Sequence, residues 1–269
     1  MSIDKLGFLG AGQMATALAA GATAAGLLGP DSLRFCDPSA DQLGRVTDRF
    51  AGCGVTAEPR ELFGECELVV LSVKPQVLAK VAADLKSLVT PRHVLVSIAA
   101  GVPLANLRDW FGTDAVIRVM PNTPAQVGAG AAGIATTMPA DSPRLRQVVQ
   151  VMESVGAVVV VEDSLMDAVT GLSGSGPAFV LLFIEAMVDA AVAAGLSRQV
   201  GTTLAVQTVL GTAKMVQETG LHPATLKDQV TSPGGTTIAG LRTLEAAGLR
   251  SAVIEAVMRA VERSVELRG

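Results

Sequence analysis

The chain has 269 residues, 49% of them hydrophobic and 17% charged, with a formal net charge of −4. That composition supports a large core and excludes an intrinsically disordered chain, and the mild acidity argues against nucleic-acid binding, which calls for a basic face. The three cysteines (Cys36, Cys53 and Cys66) form no CxxC pair and leave an odd thiol, as expected of a reduced, cytoplasmic chain that binds no metal.

The N-terminal stretch "MSIDKLGFLGAG" lacks the basic region, apolar run and cleavage site of a secretory leader. It opens instead a series of short apolar runs: "LGFLG", "LRFCD", "LVVLSV", "HVLVSI", "AVIRVM", "GAAGIATT" and "AVVVV". Amphipathic helical patterns lie between most of them, for example over residues 76–88. This alternation predicts an α/β fold, a Rossmann-type doubly wound and mainly parallel sheet with helices on both faces. Near Asp163 the pattern changes to long helical segments, about 175–194, 197–219 and 248–267. Two domains are therefore expected, 1–162 and an all-helical 163–269.

The most apolar run, "PAFVLLFIEAMVDAAVAAGL", is interrupted by Glu185 and Asp189. It reads as a buried or interfacial helix and not as a membrane span. The helical half is too short to enclose so much apolar surface alone, which predicts a homo-oligomer.

Gly10-Ala11-Gly12-Gln13-Met14-Ala15 fits G-x-G-x-x-G/A between a predicted strand and an alanine-rich helix. Gly10 permits the turn, Gly12 lets a pyrophosphate approach the backbone, and Ala15 allows close helix–strand packing. Free amides and the helix dipole favour the anion. Asp37 ends the next strand, where a carboxylate accepts from an adenosine ribose and repels a 2′-phosphate; it also fits an Asx turn in "DPS". Arg34 and Arg45 are near enough in sequence to soften that repulsion. The loops "LSVKP", "SIAAGV" and "VMPNTP" follow strands, so they are candidate cofactor walls, with Lys74 a phosphate or catalytic contact or simply solvated.

Two hydroxyl- and glycine-rich stretches open helices in the second half: "TGLSGSGPAF" and "TSPGGTTIAG". The first also fits a capped interdomain turn. The second combines free amides with hydroxyls and suits a small carboxylate, although one hydroxyl would suffice as a helix cap. There is no tyrosine, and the two histidines, His93 before an apolar run and His222 before a proline, are weak candidates for catalysis. Hydride transfer to a ketone needs a positioned acid. A protonated cyclic imine already carries its proton and needs only orientation, a carboxylate anchor and an acceptor for N–H. The residues thus favour an imine reductase.

Together "GFLGAGQMA", "AVTGLSGSGPAF", "TAKMV" and "LKDQVTSPGGTTIAGL" resemble pyrroline-5-carboxylate reductases along essentially the whole chain. The resemblance implies a Rossmann domain joined to a helical dimerisation domain, and reduction of 1-pyrroline-5-carboxylate to L-proline with NADPH or NADH. It also implies dimers that assemble further, commonly to decamers. It places the cofactor on Gly10, Ala11, Gly12, Gln13, Met14 and Ala15, on Ser72, Val73, Lys74 and Pro75, on Ala99, Ala100 and Gly101, and around Asn122. The substrate loop runs from Val230 to Thr237. There Ser232 and the amides of Gly235 and Thr236 would hold the carboxylate, and Thr237 would face the ring nitrogen. NADPH-using members often carry a small hydroxyl residue, or one followed by a basic residue, at the position of Asp37; the carboxylate shifts the expectation toward NADH. β-Hydroxyacid dehydrogenases share the architecture, and Gly171, Gly174 and Gly176 fit their interdomain frame, but its lysine and asparagine positions hold Val180 and Ile184.

Overall fold

Four-residue apolar runs such as Leu68–Leu71 and Val94–Ser97 are buried along their whole length, as strands of a parallel sheet covered on both faces must be. The computed structural model of the chain describes residues 3–268. The strands are β1 (Leu6–Leu9), β2 (Leu33–Cys36), β3 (Gly54–Thr56), β4 (Leu68–Leu71), β5 (Val94–Ser97), β6 (Val116–Met120), β7 (Gly130–Thr136) and β8 (Gly156–Val160). They form one sheet in the order β3-β2-β1-β4-β5-β6-β7-β8. Neighbours are parallel throughout except β6 and β7. Helices α1 (Gln13–Ala24), α2 (Ala40–Arg49), α3 (Pro59–Glu65), α4 (Pro75–Leu85), α5 (Leu104–Phe111) and α6 (Pro143–Glu153) connect them. The fold is the expected doubly wound sheet, with β3 and α3 added. The strand "GVT" is short, led by glycine and only partly buried, so no apolar run announces it.

The chain divides into two compact units. One runs to Ser175 and regains the chain at Arg259; the other comprises Gly176–Met258. In the first, each face of the sheet carries its own apolar cluster. Phe8, Phe35 and Phe50 stack in series on one face, with centroids 5.0 and 5.8 Å apart. Phe63, Leu71, Leu95 and Phe111 fill the other. Beyond β8 the unit continues through a short helix α7 (Met166–Val169) and a π-helical turn, Thr170–Gly174.

The second unit holds α8 (Gly176–Ala193), α9 (Arg198–Thr219), α10 (Pro223–Gln229), α11 (Thr236–Ala246) and the first part of α12 (Leu249–Glu266). Ser197 caps α9 by accepting from the Val200 amide, and Gly220 ends it in the left-handed conformation. Helices α8 and α9 pack closely because Gly201 meets Ala191, where an added Cβ would stand 3.0 Å away. Little else is covered: Leu181, Leu182, Leu204, Leu210 and Ile254 are exposed. The stretch Asp163–Ala193 is long and apolar enough to cross a membrane by length and composition alone.

Arg118 lies inside the sheet, 2% exposed. Its guanidinium donates to Asp163 Oδ1 at 2.8 Å, and Asp163 Oδ2 accepts the Leu104 amide at the start of α5. One carboxylate thus neutralises a buried charge and caps a helix. Asp163→Ala should destabilise the protein by about 2–3 kcal/mol in denaturant titration, less than for a fully buried pair because Asp163 keeps some exposure. Adding Arg118→Met should recover at least part of that loss; no recovery would mean that the cap, not the pair, carries the effect.

Candidate active site

Helices on both faces leave the strand ends as the open surface of the first unit. At β1 the sheet order reverses, with β2 on one side and β4 on the other, and ligands bind at such a switch point. Gly10 has φ +102°, and a Cβ there would fall 2.7 Å from the Ser72 carbonyl oxygen. The Gly10 amide donates to the Cys36 carbonyl at 2.7 Å. The Ser72 hydroxyl donates to the Gly10 carbonyl at 2.7 Å and also faces that of Leu9. The Ala11 amide donates to Asp37 Oδ2 at 2.9 Å. The ends of β1, β2 and β4 are thereby tied together.

Gly12 then starts α1 with extended backbone, no side-chain cap, and nothing within 4 Å of an added Cβ. The first-turn amides of Gln13 and Met14 have no carbonyl within the helix to donate to. Ala15 is fully buried. The result is an uncapped helix start with open space before it, which fits a pyrophosphate.

Asp37 forms the Asx turn expected of "DPS". Oδ1 accepts the Ser39 amide at 2.9 Å in an Asx turn, while Oδ2 braces the glycine turn. Arg34 does not soften its charge: Arg34 binds Glu65 and the carbonyls of Asp31 and Leu33. Arg45 lines a groove between α1 and α2 with Gly12, Gln13, Thr16 and Arg49.

The remaining loops converge on the same strand ends in different ways. Lys74 is the exposed residue before α4, and no partner contacts its amine among the described residues. Val73 is half-buried and Pro75 occupies the first turn of α4. Ala99 is buried, Ala100 exposed, and Gly101 has φ +75°. A cavity of about 490 Å³ lies beside Pro75, Ala100, Gly101 and Trp110, walled by the end of α12. That wall is anchored by buried Asp167, which accepts the Ser264 hydroxyl at 2.8 Å and pairs with Arg268. The Asn122 carboxamide is spent on the protein. It donates to the Ser173 carbonyl at 3.0 Å and accepts the Ala131 amide at 2.8 Å. Its side chain therefore braces the π-helical turn. Within that turn, Gly174 leaves room for Met120.

In the second unit the 230–237 loop stands exposed before α11, with Gly234 at φ +67°. Val230 is exposed. Ser232 Oγ lies over Gly235, where a Cβ would collide with it. The Gly235 amide, expected to hold a carboxylate, donates instead to the Ser232 carbonyl at 3.1 Å and closes the turn. The amides of Thr236 and Thr237 begin the helix and remain to donate. Gly235 is the N-cap and offers no side-chain cap. Among the described residues, the hydroxyls of Ser232, Thr236 and Thr237 meet no partner, whereas Thr231 is satisfied by the Lys227 carbonyl at 2.7 Å.

No competing acid, base or thiol stands out. His93 is buried, with Nε2 on the Phe63 carbonyl and Nδ1 accepting the Thr90 amide. His222 caps α10. Burial pushes the Cys66 thiol up to about 12, and burial followed by the charges of Asp37, Glu58 and Glu61 pushes Cys36 to about 11.

An open helix start at the switch point of a doubly wound sheet, with a carboxylate at the end of β2, defines a nicotinamide-dinucleotide oxidoreductase. The model of the coenzyme F420-dependent NADP oxidoreductases matches residues 5–101, and that of the pyrroline-5-carboxylate reductase dimerisation region matches residues 163–267. The chain is 47% identical to a pyrroline-5-carboxylate reductase of Methanosarcina acetivorans, covering 99% of both chains. A solved reductase of this name from Coxiella burnetii superimposes with a TM-score of 0.93 at 33% identity over 100% of both chains. The Plasmodium falciparum enzyme, solved with NADP bound, gives 0.88 at 33% identity, again over 100% of both. The chain belongs to the pyrroline-5-carboxylate reductase family.

Gly12 separates cofactor binding from folding. Gly12→Val meets no internal obstacle and suits an extended backbone, so its unfolding temperature should match the wild type. NADH affinity, read by fluorescence titration, should fall at least about tenfold because the side chain occupies the pyrophosphate approach. Unchanged affinity would remove the turn from the site.

Proposed function

We propose that the chain reduces 1-pyrroline-5-carboxylate to L-proline, the last step of proline biosynthesis, with its two halves dividing the work. Residues 1–162 hold the dinucleotide at Gly10–Met14, Asp37, Ser72–Pro75, Ala99–Gly101 and the loop around Asn122. Residues 163–269 carry the dimerisation surface and the substrate loop. The observation that carries the reading is the 230–237 loop: hydroxyls without partners beside a free helix start, where one capping hydroxyl would have been enough.

The bound reduced nicotinamide supplies the hydride. The chain's own residues supply binding and orientation. The Thr236 and Thr237 amides, the positive end of α11 and Ser232 Oγ hold the substrate carboxylate. Val230 offers an apolar wall to the ring. Thr237 Oγ1 accepts from the ring N–H and fixes which face of the C=N bond is presented. Hydride adds to the imine carbon, the C=N electron pair moves to nitrogen, and the iminium becomes a secondary amine. No proton need move in that step, consistent with the roles of His93 and His222 in structure alone.

Either NADH or NADPH fits the helix start; Asp37 favours NADH. The exposed apolar side chains of α8, α9 and α12 are the surface for a second copy, and dimers assemble further, with a decamer as the family pattern. A dimer-buried α8 also accounts for its apolar character without a membrane. The three free thiols support a cytoplasmic location.

Purified protein should oxidise NADH only when pyrroline-5-carboxylate is present and should accumulate L-proline. Thr237→Ala should lower kcat/KM by roughly ten- to a hundredfold, the worth of one oriented hydrogen bond of about 1–3 kcal/mol, with NADH affinity unchanged. Wild-type efficiency would make Thr237 a packing residue, and a parallel loss of NADH affinity would move the loop to the cofactor.

A further inference from the structure

We infer that Asp167, Ser264 and Arg268 form a positioning clamp for the dinucleotide site: they fix the end of α12 against the loop that follows β5 and so keep that loop ordered for the cofactor. The inference rests on the reading that the dinucleotide lies against Ala99–Gly101.

The last turns of α12 belong to the first unit, yet apolar packing holds them only loosely. Among the described residues of α12, Ser264 alone is buried. Ala260 and Val261 are half-buried, and Val265 and Leu267 are exposed. Arg259 and Arg263 pair with Glu262 and Glu266 on the helix's own surface. The firm attachment comes from one carboxylate on α7. Asp167 is 3% exposed; its Oδ1 accepts the Ser264 hydroxyl at 2.8 Å, and its Oδ2 pairs with the Arg268 guanidinium. A buried carboxylate depends on such partners, and losing one leaves a polar group uncompensated. The Arg268 Nε is buried and donates to no acceptor among the described residues, so Asp167 is the acceptor on which Arg268 depends.

The clamped end faces the cofactor wall. Gly101 has φ +75°, and a Cβ there would meet the Leu267 carbonyl oxygen at 3.8 Å and Leu267 Cβ at 3.9 Å. The cavity of about 490 Å³ is lined from both sides, by Pro75, Ala100 and Gly101 on the loops and by Leu267 and Arg268 on the clamped end. A glycine at positive φ gives its loop backbone freedom, and a fixed neighbour restrains it. With the clamp made, the 99–101 loop is ordered before the dinucleotide arrives. With the clamp broken, that ordering is supplied at binding, and affinity falls. Trp110 on α5 lines the same cavity and is the only tryptophan of the chain, so the clamp carries its own optical probe.

Two variants test the clamp. Ser264→Ala removes one hydroxyl and no charge; Asp167→Asn keeps an acceptor for Ser264 and removes the charge that Arg268 meets. Both are compared with wild type by NADH titration, by kcat and KM for NADH, by acrylamide quenching of Trp110 and by unfolding temperature. Ser264→Ala should weaken NADH binding and raise its KM about three- to tenfold, the effect of one lost hydrogen bond, with kcat changed by less than about twofold. Trp110 should be quenched more readily than in wild type before NADH is added. Asp167→Asn should shift the same readouts in the same direction, and Ser264→Ala decides alone where Asp167→Asn does not fold. Unchanged NADH affinity or unchanged Trp110 quenching in Ser264→Ala overturns the inference. So does a fall in kcat at unchanged KM, which marks only a loss of folded enzyme. Absence of turnover with pyrroline-5-carboxylate in the wild type would instead refute the reductase reading; NADH titration needs no substrate and would still decide the clamp.

Discussion

The contact between Gly10 and Ser72 is the constraint on which the dinucleotide half depends. β1 and β4 pair in register, so Gly10 falls opposite Ser72; the close approach of the two turns is possible because Gly10 takes a positive φ and carries no Cβ. Ser72 then closes the gap by donating to the Gly10 carbonyl, and Asp37 draws in the next amide. Once these polar groups are satisfied, the chain can turn directly into α1 with its first amides unused. Folding and binding are separable at this point. Gly10 and Ser72 spend their polar groups on the protein, whereas Gly12 and the amides after it are left for an anion.

The same division recurs elsewhere. Asn122, Asp163, Asp167 and His93 are buried or partly buried polar residues whose bonds all go to protein groups. They set the positions of loops and helix starts. Among the groups left without partners are Lys74 and the hydroxyls of Ser232, Thr236 and Thr237, which are exposed or half-buried. A reaction that needs no proton from the protein can be served by such groups, since binding geometry is then the main contribution to catalysis. The absence of tyrosine and the structural use of both histidines fit that demand.

Much of this was legible in the sequence because it is local. Apolar runs buried on both faces stand out as strands, the glycine fingerprint announces its own turn, and Ser197 and Gly220 mark the ends of α9. The long helices fall within a residue or two of their periodic segments. What escaped was short or distant. β3 has three residues and little burial, and "TGLSGSG" gave no sign of a π-helical turn shaped by Met120 and Asn122. The pairs Arg118–Asp163 and Asp167–Ser264 join residues far apart in the chain, and nothing local in an arginine shows that it will be buried. The Gly235 amide is spent on Ser232 for a related reason: whether an amide is free depends on the turn that forms, not on the residue. Arg34 was likewise near Asp37 in sequence but turned toward Glu65.

Every feature of the site serves the direct movement of a hydride from a dinucleotide onto a cyclic imine. Turnover with NADH deuterated at the transferable position of C4, followed by mass and NMR analysis of the proline formed, tests it most directly. L-proline with one deuterium at C5, the former imine carbon, and none exchanged with water is expected. Proline without deuterium at that carbon, or label lost to solvent, would contradict it.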